Sequence, residues 1–157
     1  MPDFKPRDSD FARRVTDSFD RQTFMHHIGA ELVAVSPGGC EIALPYRREL
    51  CQQHGFFHGG VVSTLADNVC GYAAFSLAGA EDSILTVEFK VNIVSPGRGE
   101  CLLARGQVVK AGRTLTISEA RVYSVVKGQE MLCAVALETL MPLADQSDKP
   151  ATGAQAA

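Results

Sequence analysis

From Gly59 to about Leu77 the chain is apolar or small on every side of a helical wheel. Such a helix is usually buried. Downstream the period shortens to two. Over 84–94, Leu85, Val87, Phe89, Val91 and Ile93 alternate with Thr86, Glu88, Lys90 and Asn92. That alternation predicts a half-buried antiparallel strand whose exposed face begins at Thr86. Residues 100–110 and 114–127 predict a long strand pair around Ala111-Gly112-Arg113, and Lys127-Gly128-Gln129 turns the chain into a strand over 130–140. Upstream, strands over 30–36 and 39–45 are joined by a hairpin at Pro37-Gly38-Gly39, and 46–58 reads as an irregular loop. Phe11, Val15 and Phe19 keep helical spacing behind a cap at Ser9 or Asp10, and Phe24, Met25 and Ile28 continue as a short second helix. This first segment serves either as a lid or as plain core cover.

Strands before and after one buried helix make an α+β chain. The helix can be buried only if the sheet curls around it. A single curved sheet leaves edges and an open face, so a partner subunit is expected. The expected division is an N-terminal helical segment over 1–29, one domain over 30–141, and a tail over 142–157 rich in Ala, Gln, Ser, Asp and Gly that is expected to be disordered.

Composition narrows the function. A length of 157 residues fits one domain, and 46% hydrophobic residues suffice for a core. A net charge of −3 offers no electrostatic case for nucleic acid. The start, Met1-Pro2-Asp3-Phe4-Lys5, lacks the apolar core of a signal peptide, and Asp67 interrupts the longest apolar stretch, so no membrane partner is expected. Five scattered cysteines without a CxxC pair fit reduced thiols, hence a cytoplasmic location.

Between His58 and Glu81 the one carboxylate is Asp67, with no Lys or Arg nearby in sequence. An isolated buried charge is costly, so Asp67 must be paired, protonated or used. Just ahead lies Gln52-Gln53-His54-Gly55-Phe56-Phe57-His58-Gly59-Gly60. The Gly59-Gly60 pair lets backbone approach a ligand closely, and the free N–H groups of the following helix point at whatever sits there. His54 and His58 have metal-like spacing but no third ligand in register, so no metal is expected.

His58-Gly59-Gly60 followed by Leu65-x-Asp67, with Gln52 and Gly55 before it, resembles the acyl-CoA thioesterases of the hotdog fold, in particular the phenylacetate-pathway (PaaI-type) and 4-hydroxybenzoyl-CoA thioesterases. The resemblance runs through Leu85-Thr86-Val87-Glu88-Phe89 and Ser95-Pro96-Gly97 to Lys110-Ala111-Gly112-Arg113-Thr114, roughly residues 30–140. It implies a curved antiparallel sheet wrapped around one long helix. It implies hydrolysis of an acyl-CoA to a carboxylic acid and coenzyme A, with Asp67 as base or nucleophile and the Gly59 N–H polarising the thioester carbonyl. His58 would chiefly shape the loop, with general-acid work as the alternative. Gln52 would orient the thioester or the water; Gln there with Asp on the helix mixes the two groups' patterns. Thr86 matches a Ser/Thr position that holds the water in relatives. Gly60 and Phe57 would bind substrate, Phe57 together with Phe56, Val61 and Tyr72 lining an acyl pocket, and Arg98, Lys110 and Arg113 would meet the phosphates of coenzyme A. No cofactor is implied beyond the coenzyme A of the substrate. The resemblance also implies a homodimer with shared active sites, and allows a tetramer of paired dimers. Two other functions remain open: a non-catalytic acyl-CoA binding protein, and a hotdog enoyl-thioester hydratase or dehydratase, whose characteristic Asp-x-Asn-Pro-x-His and His-Phe-Pro-Gly stretches are absent.

Overall fold

One antiparallel sheet curls around one helix in the computed structural model, which describes residues 4–148. The chain runs α1 (Phe11–Arg21), α2 (Thr23–Ile28), β1 (Glu31–Ser36), β2 (Gly39–Pro45), α3 (Gly59–Phe75), β3 (Ser83–Ile93), β4 (Cys101–Ala111), β5 (Thr116–Val126) and β6 (Gln129–Leu143). The strand order is β1-β2-β4-β5-β6-β3, so β3 is an edge strand bonded only to β6. The β1–β2 hairpin closes through Ser36 and Gly39, and Gly38 takes φ +75° after Pro37, as the second central residue of a type II turn requires.

The inner sheet face presents Ile42, Leu44, Leu102, Ala104, Val122 and Leu140, all fully or nearly fully buried, to Leu65, Ala66 and Val69 of α3. Helix and sheet approach closely at Gly106. A Cβ there would lie 2.3 Å from the Val69 carbonyl oxygen and 2.4 Å from its carbon. Backbone cannot yield as a flexible side chain can. Gly106→Ala is therefore expected to cost about 3 kcal/mol or more, the upper range for overpacking, read as a lower denaturant midpoint. An unchanged midpoint would show that α3 can shift off the sheet at no cost.

The N-terminal segment is bolted to the end of α3. Val15 and Phe19 of α1 are buried. The Arg14 guanidinium donates to the carbonyls of Phe75 (3.2 Å), Ala78 (2.8 Å) and Gly79, and stacks 4.4 Å above the Phe75 ring. Carbonyls at a helix C-terminus lack intrahelical partners and carry negative charge, so a cation is well placed there. Asp10 does occupy the cap position of α1, but its carboxylate binds Arg13 rather than the backbone.

Two features differ from the sequence reading. β6 extends through Pro142 to Leu143, past the expected domain end at 141, and Asp148 forms an ion pair with Arg21. The rest of the expected tail lies outside the described residues. The second difference is a correction to the faces of β3. A bulge falls between Thr86 and Glu88. Before it, Thr86 is opposite fully buried Leu140; after it, Phe89, Val91 and Ile93 are opposite Glu138, Ala136 and Ala134. Directly opposed residues share a face. Thr86 therefore joins Phe89, Val91 and Ile93 on the inner face, and Leu85 turns outward. The extra residue of a bulge resets the period of two, and nothing in the alternation of this strand announces it.

Candidate active site

The bulge matters because it delivers Thr86 to Asp67. The Thr86 hydroxyl donates to Asp67 Oδ1 at 3.0 Å. Asp67 is half-buried on α3 and opens on a cavity of about 250 Å³. Asn68, Tyr72 and Thr86 line it with Asp67, and Ser18 and Gln22 close it from the end of α1. The Gln22 amide donates to the Tyr72 hydroxyl at 2.7 Å, with Ser18 Oγ 3.3 Å from the same oxygen. The N-terminal segment covers core with Val15 and Phe19 and lines the cavity with Ser18 and Gln22.

On the far side of Thr86 lies a residue that the sequence reading missed. Glu138 of β6 is 1% exposed, and its Oε1 is 2.9 Å from Thr86 Oγ1. Burial, and then the neighbouring charge of Asp67, push its carboxyl up to about 8. The signal was present: Ala134, Ala136, Glu138 and Leu140 fall at period two, so an acid sits in the middle of a core-facing stripe. Cys70, one turn after Asp67, is buried against the same carboxyl, and its thiol is pushed up chiefly by burial.

The other end of α3 carries the glycine motif. His58 is the N-cap, and its Nδ1 accepts from the Gly60 N–H at 2.9 Å. That bond makes Nδ1 an acceptor and places the ring proton on Nε2. The N–H groups of Val61 and Val62 go to the His58 carbonyl at 2.9 and 3.2 Å. First-turn N–H groups have no intrahelical acceptor, so Gly59 is left as the donor that the cap does not use. Gln52 folds back on its own loop, its side-chain oxygen accepting from the His54 N–H. Phe57 is 4% exposed, its ring 5.5 Å from that of Tyr46, and its N–H bonds Gly97 O at 2.9 Å. It anchors the loop to the β3–β4 turn.

The basic residues separate. Arg98 is exposed in that β3–β4 turn, beside the start of α3. Lys110 and Arg113 are exposed at the β4–β5 turn, where Arg113 lines a second cavity with Ala74, Leu77 and Ala78 at the other end of the helix. Within one chain the structure brings together Asp67 and Thr86, while Gly59 begins α3 about two helical turns before Asp67, with Gly60 beside it, His58 as the cap and Gln52 in the preceding loop. Among the described residues no group of three or more His, Cys, Asp and Glu is placed to hold a metal. No helix among them is long and apolar enough to cross a membrane.

A six-stranded antiparallel sheet wrapped on one long helix is the hotdog fold. The family model described as "Thioesterase superfamily" matches residues 54–131. A crystal structure of a thioesterase family protein from Silicibacter pomeroyi is 50% identical, covers 85% of this chain and 98% of its own, and superposes with a TM-score of 0.83. The PaaI protein of the E. coli phenylacetic acid degradation operon shares the fold at 16% identity, with 83% of this chain and 94% of that chain covered and a TM-score of 0.73. A 1,4-dihydroxy-2-naphthoyl-CoA hydrolase of Listeria monocytogenes is 22% identical over 68% of this chain and 85% of its own length. The chain belongs to the thioesterase superfamily, and it is a thioester hydrolase.

Proposed function

We propose that the chain hydrolyses acyl-CoA thioesters in a homodimer, at sites built from Asp67 of one protomer and the Gly59 N–H of its partner. The observation that carries this reading is the Thr86–Asp67 pair at the mouth of a polar cavity, in a helix without another carboxylate. Asp67 either takes the proton of an attacking water or attacks the carbonyl itself to give an anhydride that water opens. In both courses charge develops on the thioester oxygen, and a backbone N–H at the positive end of α3 stabilises it. The thiolate leaves without a strong acid, which suits the structural use of the His58 ring as a cap.

Distance and surface support the dimer. Asp67 lies eight residues beyond Gly59, or ~12 Å along the axis, too far for both to grip one carbonyl. The edge strand β3 leaves Val87, Phe89 and Ile93 exposed at 54%, 43% and 50%. A second copy packed there with its helix antiparallel would bring its Gly59 to Asp67. It would also bring the β3–β4 turn of one protomer, with Arg98, to the end of the dimer where Lys110 and Arg113 of the other lie, a basic rim for the coenzyme A phosphates.

Thiol release from a panel of acyl-CoAs tests the reading. Turnover with free thiol supports it. A hydratase would alter enoyl-thioesters without releasing thiol, and a sensor would bind without turnover. The glycine donor has its own test. Gly59 is the first residue of α3, a position where proline is favoured because its missing N–H has no helical partner. His58 already has φ −62° and ψ 140°, the conformation a residue before proline prefers. A Cβ at Gly59 meets only the tip of Ile93 at 3.2 Å. Gly59→Pro is therefore expected to keep the helix and lower kcat by about 10²–10³, with KM little changed. A kcat within twofold of wild type would make Gly59 a packing glycine only.

A further inference from the structure

Thr86 has one hydroxyl proton and two carboxyl groups within reach, Asp67 Oδ1 at 3.0 Å and Glu138 Oε1 at 2.9 Å. If both acids were ionised, one of those contacts would set lone pair against lone pair, and two buried anions would share a hydroxyl. Both contacts become hydrogen bonds when one acid keeps its proton. Glu138 is the acid that does so, because it is fully buried whereas Asp67 opens on the cavity.

Among the described residues its surroundings hold no cation. From α3 it meets Asp67 and Cys70; from β3, Thr86 and, opposite in register, Phe89; from β5, opposite in register, Ser118. Glu88 and Lys90 are paired with Thr139 and Leu137, on the other face of the sheet. Glu138 Oε2 and Ser118 Oγ are both buried without a hydrogen-bond partner among the described residues. A buried carboxylate would find only the Thr86 hydroxyl and the Cys70 thiol as donors here and no cation, whereas a buried carboxylic acid needs only an acceptor for its proton.

We propose that Glu138 is a positioning residue for Asp67: as a neutral acid it donates to Thr86 Oγ1, which commits the threonine proton to Asp67 Oδ1 and leaves Asp67 Oδ2 to meet water or thioester. This rests on the assignment of Asp67 above. No bond to substrate is made by Glu138, and the chain of donors runs Glu138 to Thr86 to Asp67. When Glu138 ionises, the threonine proton is contested, and a second anion lies beside the reacting one.

The experiment is a pH profile of kcat for thiol release, corrected for spontaneous hydrolysis, on wild type, Glu138→Gln, Glu138→Leu and Asp67→Asn. Wild type is expected to lose kcat as pH rises through about 8, where burial places the Glu138 carboxyl. Glutamine offers an N–H to Thr86 and cannot ionise, so Glu138→Gln should keep kcat at pH 7 within about threefold and lose the alkaline fall. Leucine offers no donor, and Glu138→Leu should lower kcat about tenfold at unchanged KM, the scale of one hydrogen bond. If Glu138→Leu does not fold by circular dichroism, the glutamine profile decides. A wild-type profile flat to pH 9.5, an alkaline fall that persists in Glu138→Gln, or a folded Glu138→Leu with wild-type kcat overturns the proposal. The Asp67→Asn arm keeps the two readings apart. An inactive Asp67→Asn with indifferent Glu138 variants ends the positioning role alone, and a fully active Asp67→Asn ends the assignment of Asp67 as well.

Discussion

Asp67→Asn is expected to leave the protein folded and to cut kcat for thioester hydrolysis by roughly 10²–10⁴-fold, the usual scale for a lost base. The substitution is close to isosteric. The asparagine carbonyl can still accept from Thr86, so the 3.0 Å bond that holds the side chain need not be lost. It also removes the charge that disfavours ionisation of buried Glu138. The fold should therefore suffer little, and thermal unfolding of the variant should match wild type within a few degrees. What is lost is the anion, which either course of attack requires. Thiol release measures it directly, and kcat near the wild-type value would sink the assignment.

The fold and half of the site could be read from residues. The all-apolar run after Gly59 made α3, and the period-two stretches made six strands, because binary pattern alone decides which faces can be buried. Asp67 stood out by its isolation, and Gly59-Gly60 by the backbone approach that it allows. Thr86 was placed on the exposed face of its strand because a bulge leaves no mark in local alternation; only pairing with β6 shows that the phase slips after it. Glu138 was passed over because a single acid at the end of a strand looks solvated unless its neighbours two residues away are weighed. Those neighbours, Ala136 and Leu140, are 7% and 0% exposed. The separation of Arg98 from Lys110 and Arg113 was equally invisible, since turns at opposite ends of antiparallel strands look alike in a sequence.

These misses share a cause. Each depends on the placement of elements far apart in the chain, and Thr86 and Glu138 are polar residues held against an otherwise apolar helix. The apolar positions report their own burial through periodicity. A polar residue in the core is specified by its partner, so its role becomes visible only when α3, β3 and β6 meet.

The same reasoning applies to the proposed assembly, in which the partner would be a second copy of the chain. Asp67→Asn and Gly59→Pro homodimers should both be nearly inactive, one for lack of the anion and the other for lack of the donor. In a hybrid dimer the two defects fall in one site. The other site combines the intact Asp67 of one chain with the intact Gly59 of the other. Random assortment makes half of the dimers hybrids with one working site each, so the mixture should recover about a quarter of wild-type activity. Recovery from two nearly dead parents is a large signal against a low background. It also cannot come from a monomeric site, because each chain carries its own defect in every assembly. Exchange is verified by differential tags and co-purification before activity is read. If tagged hybrids form and thiol release stays at the parental level, or if sedimentation shows a fully active monomer, Asp67 and Gly59 do not meet across protomers. Apolar Val87, Phe89 and Ile93 on the edge of β3 would then need another cover.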